Sequence, residues 1–444
     1  MIALGEPLLS RYNRPVPRYT SYPPASEFSA EVSSDAYAER LLARDPGRPL
    51  SLYVHVPFCE RLCLYCGCNV IISRSSARAD DYLDLVEQEA KLVASHLRGD
   101  RRISSLHLGG GSPNSLTVAQ LERLVTMIDR SYGRRDGALL SLEANPAQTT
   151  PEFLEAARRL GFSRISLGVQ DLSPDVLEKV GRECGPDDLV SVYRLCRQLG
   201  FESVNFDLMY GLPGQSIESL LATIKQVVGL RPDRVAFFGY AHVPWFRPQQ
   251  KLLPEDELPV PRLRADMVMA AREAFVANGY VAIGIDHYAL ATDDLARGLE
   301  ERRLRRSFQG YTVEPDGDLV GLGASSITSL FDTYAQNATH LPDYKRLVES
   351  GALPVVRGLI LSPDSIARRK IIMEIMCHGR LRVDEAIRPY VDEVVADLAQ
   401  LETDGLLSRT EDELVATDVG SIFLRRIASA FDATPSRTRG SSAM

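Results

Sequence analysis

SLYVHVPFCERLCLYCGCN, residues 51–69, decides how this chain is read. Its first six residues, 51–56, form a short β-strand that stops at Pro57, because proline removes a donor from the ladder. A loop follows with cysteines at 59, 63 and 66, a CxxxCxxC spacing, and a fourth at Cys68 in CxC. Thiolates this closely spaced let one loop wrap an iron–sulfur cluster. Three of them cover three irons of a cubane and leave the fourth open, as a catalytic metal requires. A zinc loop is the competing reading, but zinc loops favour CxxC pairs with a second pair at a distance, and none exists here.

Outward from this loop, strands and helices alternate. Helical periodicity runs over 79–97 and 117–130, then through PEFLEAARRLG with its leading proline and closing glycine, then near 173–180, 186–199 and 216–230. Strands fall between them at 103–108, 138–144, 164–170, 203–210 and 234–241. Six strands joined by helices imply βαβ crossovers and a parallel sheet. Their mostly apolar composition suits strands covered on both faces. Gly109 to Ser112, Glu143, Gln170, Asp207 and Ala241–His242 all sit just past strand C-terminal ends, the edge where α/β barrels build active sites. A barrel-like α/β domain is therefore expected over 49–290. An N-terminal arm and lead-in helix (1–48) precede it, and a barrel extension and connector (291–360) follow.

Beyond 360 the pattern changes to two helices, a short hairpin and a last helix, read as a small helical, winged-helix-like cap over 361–432. Residues 433–444 read as a disordered tail. DNA binding is excluded for the cap: from Tyr390 to Asp432 ten acidic residues face three arginines and no lysine. The whole chain, at 444 residues, has a formal charge of −8, which argues against broad nucleic-acid binding. No apolar run approaches the roughly 20 residues of a membrane span, and no secretory signal is recognisable, so a cytoplasmic location is expected. Seven cysteines, four of them between 59 and 68, point to metal before disulfides.

CxxxCx(aromatic)C, with Tyr65 as the aromatic, resembles the signature of the radical S-adenosylmethionine superfamily. RYTSYPP at 18–24, YVHVPFCERLCLYCGCN at 53–69, LHLGGGSP at 106–113, GVQD at 168–171, NFDLMYGLPGQ at 205–215, YAHVP at 240–244, FQGYT at 308–312 and YAQN at 334–337 together resemble the oxygen-independent coproporphyrinogen III oxidases, in order and over nearly the whole chain. The resemblance implies a partial parallel (β/α) barrel of the radical S-adenosylmethionine type. It implies a [4Fe–4S] cluster on Cys59, Cys63 and Cys66, and two S-adenosylmethionine molecules per site. Tyr53, Gly110, Glu143 and Ile327 would hold the first molecule. Tyr65, Gly111, Ser112, Gln170, Arg182, Asp207 and Ala241 would hold the second.

The implied reaction is decarboxylation of two propionates of coproporphyrinogen III to vinyls, giving protoporphyrinogen IX in haem synthesis. A low-potential donor such as flavodoxin or ferredoxin would supply electrons to a monomeric enzyme. The backbone N–H groups of Gly109 to Gly111 are expected to bind the methionine moiety. Asp207 suits ribose hydroxyls or an amino group, and Arg182 a carboxylate. A helix cap or a salt bridge is the plainer alternative for Asp207 and Glu143.

Cys68 and His55 are the candidate catalytic residues, with a buried hydrophobe and a satisfied core histidine as the plainer alternatives. Arg297, Arg302, Arg303, Arg305 and Arg306, or the arm's Arg11, Arg14 and Arg18, are candidates for the propionates. The chain departs from the family pattern at Ser112-Pro113, where Thr-Pro is usual, at Glu143-Ala-Asn-Pro, and at Cys184, where glutamine is typical. Two other readings share the cluster motif: a haem-binding chaperone paralogue, and a different radical enzyme acting on a tetrapyrrole.

Overall fold

Alternate side chains of six strands are apolar and sealed from solvent, and this alternation sets the architecture. The strands are β1 (Leu50–Val56), β2 (Ile103–Gly110), β3 (Arg134–Ala144), β4 (Phe162–Gln170), β5 (Ser203–Tyr210) and β6 (Arg234–Gly239). In this computed structural model, which describes residues 5–434, they pair in parallel in chain order. Leu52, Val54, Leu106, Leu108, Leu140, Leu142, Ile165, Leu167, Val204, Phe206, Val235 and Phe237 are each at most 3% exposed and join one core cluster. That cluster is roofed by helices α1 (Ser76–His96), α2 (Val118–Ser131), α3 (Pro151–Arg159), α5 (Pro186–Gln198) and α6 (Ile217–Leu230), whereas α4 (Pro174–Lys179) packs Val176 into a smaller cluster with Leu212 and Tyr240. The start of α2 is fixed by a reciprocal Thr117–Gln120 capping box.

The other face differs from the expected one. Tyr53, His107, Ser141, Ser166, Asn205 and Asp207 occupy it, so the strands are apolar on the outer face and polar on the inner one. Strands alternate side chains between faces, and here the inner face lines a cavity where no apolar layer is needed.

The sheet continues at both edges. On one side β7 (Tyr280–Ile283) and β8 (His287–Leu290) add in antiparallel fashion, β8 against β6. On the other, β9 (Asp318–Leu322) lies parallel to β1, followed by antiparallel β10 (Ile327–Ser329), β11 (Thr333–Asn337) and β12 (Val355–Ile360). The resulting 12-stranded order, β12-β11-β10-β9-β1-β2-β3-β4-β5-β6-β8-β7, leaves its edges unjoined. This open, curled sheet is the expected partial barrel. Its antiparallel edges were not anticipated, because strands of three to six residues give weak periodic signals.

The C-terminal region is helical and separate. It comprises α7 (Pro363–His378), α8 (Arg388–Glu393), α9 (Val395–Thr403) and a three-stranded sheet of Arg380–Arg382, Glu413–Ala416 and Leu407–Arg409. The helix expected over 391–405 is broken at the β-branched pair Val394–Val395. The last expected helix is a five-residue α-turn, Leu424–Ala428, between two 3₁₀ turns. Strand Arg380–Arg382 went unseen because Leu381 alone of its three residues is buried. Leu9, Tyr12, Tyr19 and Tyr22 of the arm share this region's core. Of the tail expected over 433–444, residues from 435 onward lie outside the described residues.

Candidate active site

The cysteine loop leaves β1 at Pro57 and is anchored before its first thiol. Phe58–Cys59 pairs with Ile71–Ile72, which closes the loop at its neck. Inside, the Cys66 N–H donates to the Cys63 carbonyl, and the Cys68 N–H reaches Cys66 Sγ at 3.4 Å. All four cysteines are free thiols; Cys59, Cys63 and Cys66 are half-buried and Cys68 is exposed. Hydrogen bonding from Cys68 lowers the pKa of the Cys66 thiol against the opposing effect of burial. Burial instead pushes Cys59 up to about 11, despite its contact with Ser112 Oγ at 3.8 Å. The Cys68 thiol is held well up by its bond to Cys66.

Arg182 reaches the loop from the segment after α4. It donates to Cys63 Sγ at 3.5 Å, to Asn145 Oδ1 at 3.2 Å and to the Gly168 carbonyl. Burial disfavours its charge, but Tyr65 and Cys63 more than offset that, and its Nε is buried without a partner. A cationic group with an orphaned donor beside three thiols suits a site that receives negative charge. Among the described residues no three His, Cys, Asp or Glu side chains converge on a single ion. Three thiols spread along one short loop suit a multi-iron cluster.

The glycine segment is packed hard against this loop. A Cβ on Gly111 would stand 2.6 Å from the Phe58 carbonyl oxygen, so only glycine fits. Three of its N–H groups are engaged within the protein. Gly110 N–H donates to Glu143 Oε2 at 3.2 Å, Gly111 N–H to the Val56 carbonyl and Ser112 N–H to the Phe58 carbonyl, both at 2.8 Å. With those donors used internally, the segment can offer carbonyl oxygens, which suit an ammonium group.

His55 has both ring nitrogens engaged. Its Nε2 meets the Asn69 carbonyl at 2.9 Å, which requires the proton there, and Nδ1 then accepts from Tyr53 O–H at 3.1 Å. Burial lowers its pKa and keeps it neutral. The satisfied alternative thus has the direct geometric support, with His55 tying β1 to the end of the cysteine loop. Tyr53 also stacks on His107, with centroids 5.9 Å apart.

Glu143 accepts from Gly110 and contacts His107 Nε2 at 3.3 Å. Burial would raise its pKa, but His107 and the Gly110 N–H bring it below the usual value. Asp207 behaves oppositely. It accepts from Ser166 Oγ at 3.0 Å and Asn205 Nδ2 at 2.7 Å, and burial, reinforced by Glu143, pushes it up to about 7. Its partners are uncharged and it lies within a strand, so neither plainer alternative describes it.

Gln170 adopts φ 70° at the end of β4, and its amide lies over Gly168 beside Arg182. Tyr65 is packed among Val176, Val180, Leu212 and Tyr240. The Ala241 carbonyl accepts from Gln250 Nε2 at 3.3 Å. Ile327 is set apart from the cysteine loop: it stands on β10 across Gly321, which pairs with Tyr53.

Residues without a motif complete the site. Buried Gln250 also donates to the Tyr65 carbonyl at 3.0 Å and accepts from Val243 N–H at 2.6 Å, while Gln249 donates to the Cys66 carbonyl at 2.8 Å. They clamp the cysteine loop to the segment after β6. His107 could have been found from the two-residue alternation of LHL; nothing local marks the glutamines.

Below Glu143 and Asp207 the inner face opens into a cavity of ≈ 850 Å³, walled on its far side by Arg302 to Arg306, the arm residues Thr20 and Ser21, and α7. Arg297 is not part of its wall and pairs with Asp294 at 2.7 Å. Arg11 is likewise engaged elsewhere, with Asp404 at 2.6 Å.

The sequence profile described as the radical SAM superfamily matches residues 53–227. Oxygen-independent coproporphyrinogen III oxidase of Synechocystis is 39% identical over 96% of this chain and 94% of its own length. The chain belongs to that family. The Escherichia coli oxidase of the same name is also 39% identical, over 96% of this chain and 94% of its own. The solved structure of the E. coli coproporphyrinogen III oxidase, described as a radical SAM enzyme, superposes with a TM-score of 0.89 at 38% identity, covering 94% of this chain and 97% of that one. As a radical S-adenosylmethionine enzyme, this member of the coproporphyrinogen oxidase family uses a [4Fe–4S] cluster and S-adenosylmethionine. No helix among the described residues is long and apolar enough to cross a membrane.

Proposed function

We propose that this protein decarboxylates two propionates of coproporphyrinogen III to vinyls, yielding protoporphyrinogen IX for haem synthesis without O₂. The carrying observation is the CxxxCxxC loop at the C-terminal edge of the sheet, above a cavity of ≈ 850 Å³ with arginines in its wall. That volume lies within the range that encloses a large ligand, roughly 300–1,000 Å³.

Cys59, Cys63 and Cys66 would hold the cluster, with Cys66 already inclined to the thiolate form and Arg182 balancing the loop's charge. Bound there, the cluster and S-adenosylmethionine would supply radical chemistry able to abstract hydrogen from the substrate. Glu143, ionised and fixed by Gly110 and His107, suits the ammonium group of one S-adenosylmethionine. Tyr53 and Ile327 would flank that molecule. Gly110 would complete that first site, while Asp207, Gln170, Tyr65, Arg182, Gly111, Ser112 and Ala241 would hold a second. Each propionate would give up one hydrogen atom to the adenosyl radical, CO₂, and one electron to a one-electron acceptor. The cavity wall holds the ring and excludes water while this happens. Cys68, exposed at the end of the loop, would serve a hydrogen or proton transfer on the substrate side. A low-potential donor of the flavodoxin or ferredoxin kind, a monomeric state and a cytoplasmic location accompany this reading.

Anaerobic reconstitution with reductant, S-adenosylmethionine and coproporphyrinogen III should give 5′-deoxyadenosine, CO₂ and protoporphyrinogen IX. The Cys59→Ala variant should give none of these. Cys68→Ala should keep 5′-deoxyadenosine and lose the vinyl product. Haem binding with no vinyl product from the parent would reject the reading.

A further inference from the structure

We propose that Arg164 and Arg234, at the floor of the cavity and with Arg306 in its wall, form a carboxylate-binding site that anchors the non-reacting propionates of the tetrapyrrole. The inference rests on the substrate reading above and names the residues that would recognise it.

The positions follow from strand alternation. Arg164, Ser166 and Gly168 share one face of β4, and Arg234 stands beside Asn205 in the β5–β6 register. Arg164 pairs in register with Ser203, and both arginines line the cavity. They sit two residues down their strands from Ser166 and from the level of Asp207, about 7 Å nearer the N-terminal edge. A barrel floor of this kind is ordinarily filled by branched apolar side chains. Here two guanidiniums are placed close enough to repel: burial, and then Arg234, lowers the pKa of Arg164.

Acids restrain one edge of each. Asp293 accepts from Arg234 Nε at 2.9 and 2.8 Å, and Asp294 accepts from Arg164. Neither restraint uses all the donors. Arg164 Nε and Arg234 NH2 are buried without a partner. Arg306, with a side chain 2% exposed, shows the same pattern: Asp286 takes both terminal nitrogens at 3.4 Å and Nε is left over. Three guanidiniums around one cavity, each with one buried and orphaned donor, are costly unless a ligand completes them. Planar donor forks suit carboxylates bidentately.

This selects among the basic residues. Arg303 and Arg305 are more exposed and closed by surface pairs with Glu301 and Asp316, so they contribute little to specificity. The vertical order also gives an orientation. Carboxylates held at the floor direct the opposite edge of the ring toward Glu143 and Asp207, where hydrogen abstraction is proposed.

The test is fluorescence titration of the reconstituted protein with coproporphyrin III, the oxidised ring bearing the same four propionates, and with its tetramethyl ester. The parent should bind the free acid at least tenfold more tightly than the ester. Arg164→Gln and Arg234→Gln should each weaken free-acid binding tenfold or more, leave ester binding as it was, and retain the S-adenosylmethionine affinity of the parent. Arg164→Lys and Arg234→Lys, which keep the charge, should lose less. They also serve where the glutamine variants do not fold. A parent that binds neither ring would overturn the substrate reading together with this site. A parent that discriminates while its arginine variants discriminate equally would overturn this site alone.

Discussion

Gly110 has φ +111°, and a Cβ there would lie 2.4 Å from the His55 ring. The left-handed backbone excludes other residues, and the short approach means that any side chain displaces His55. His55 in turn grips the Asn69 carbonyl at the end of the cysteine loop. Gly110→Ala is therefore expected to loosen that loop: after reconstitution it should retain less than half the parent's iron and sulfide per chain, read by metal analysis and by the visible cluster absorbance. Asp207 makes a prediction of opposite kind. Its folded pKa of about 7 lies above the ordinary carboxylate value, so the folded state binds the extra proton. Stability from this residue is fully present below about pH 4 and is lost as pH rises to about 7. The ceiling on that loss is about 4 kcal/mol. Asp207→Asn should flatten the fall in Tm between pH 5 and 8 in protein without S-adenosylmethionine, and should weaken S-adenosylmethionine binding. An unchanged Tm profile would place the proton elsewhere. Gly110 was legible from position alone, at a strand C-terminal end, whereas Asp207 lies inside β5. The roles of the acids were not legible, because what separates Glu143 from Asp207 is which neighbours donate to each, and sequence distance conceals that.

At the scale of elements, short apolar strands alternating with helical segments wrote the barrel into the chain. SLYVHV and SVNFDLMY place every second residue outward under helices, and the parallel order follows from the intervening helical segments. The edges escaped because β7 to β12 are short and take their register from neighbours already in place. The clamp between the cysteine loop and the segment after β6 escaped for another reason: Gln249 and Gln250 belong to no periodic pattern. Gln250 satisfies three backbone groups, those of Tyr65, Ala241 and Val243. Removing it leaves those groups short of partners, at about 1–3 kcal/mol for each one that water cannot reach. Gln250→Ala should lower Tm and slow cluster assembly, measured as the rate of absorbance gain during reconstitution, while Gln250→Glu should retain the acceptor bond to Val243 and lose the two donor bonds.

For the whole molecule, the open edge of the sheet creates a requirement that the arm and the C-terminal region meet together. A closed barrel walls its own interior; this one does not, since β12 and β7 never pair. Thr20 and Ser21 from the arm and Ile366, Arg369 and Met373 from α7 complete the cavity wall instead. The arm is held by buried tyrosines. Tyr19 donates to Asp432 at 2.9 Å, Tyr22 O–H accepts from Ala433 N–H at 3.0 Å, and Tyr12 bonds Asp404. Tyr19 is 1% exposed, so truncation to alanine should cost about 3–5 kcal/mol of local stability. Because that loss falls where arm and C-terminal region meet, it should separate their unfolding from that of the sheet. Tyr19→Ala is expected to show an early transition on melting and rapid proteolytic cutting before residue 30 and after residue 360, with the sheet still protected. The same variant should form 5′-deoxyadenosine without matching vinyl product, since a wall that opens admits water and lets the ring tilt. One cooperative transition with tight coupling of the two products would mean that the sheet alone encloses the substrate.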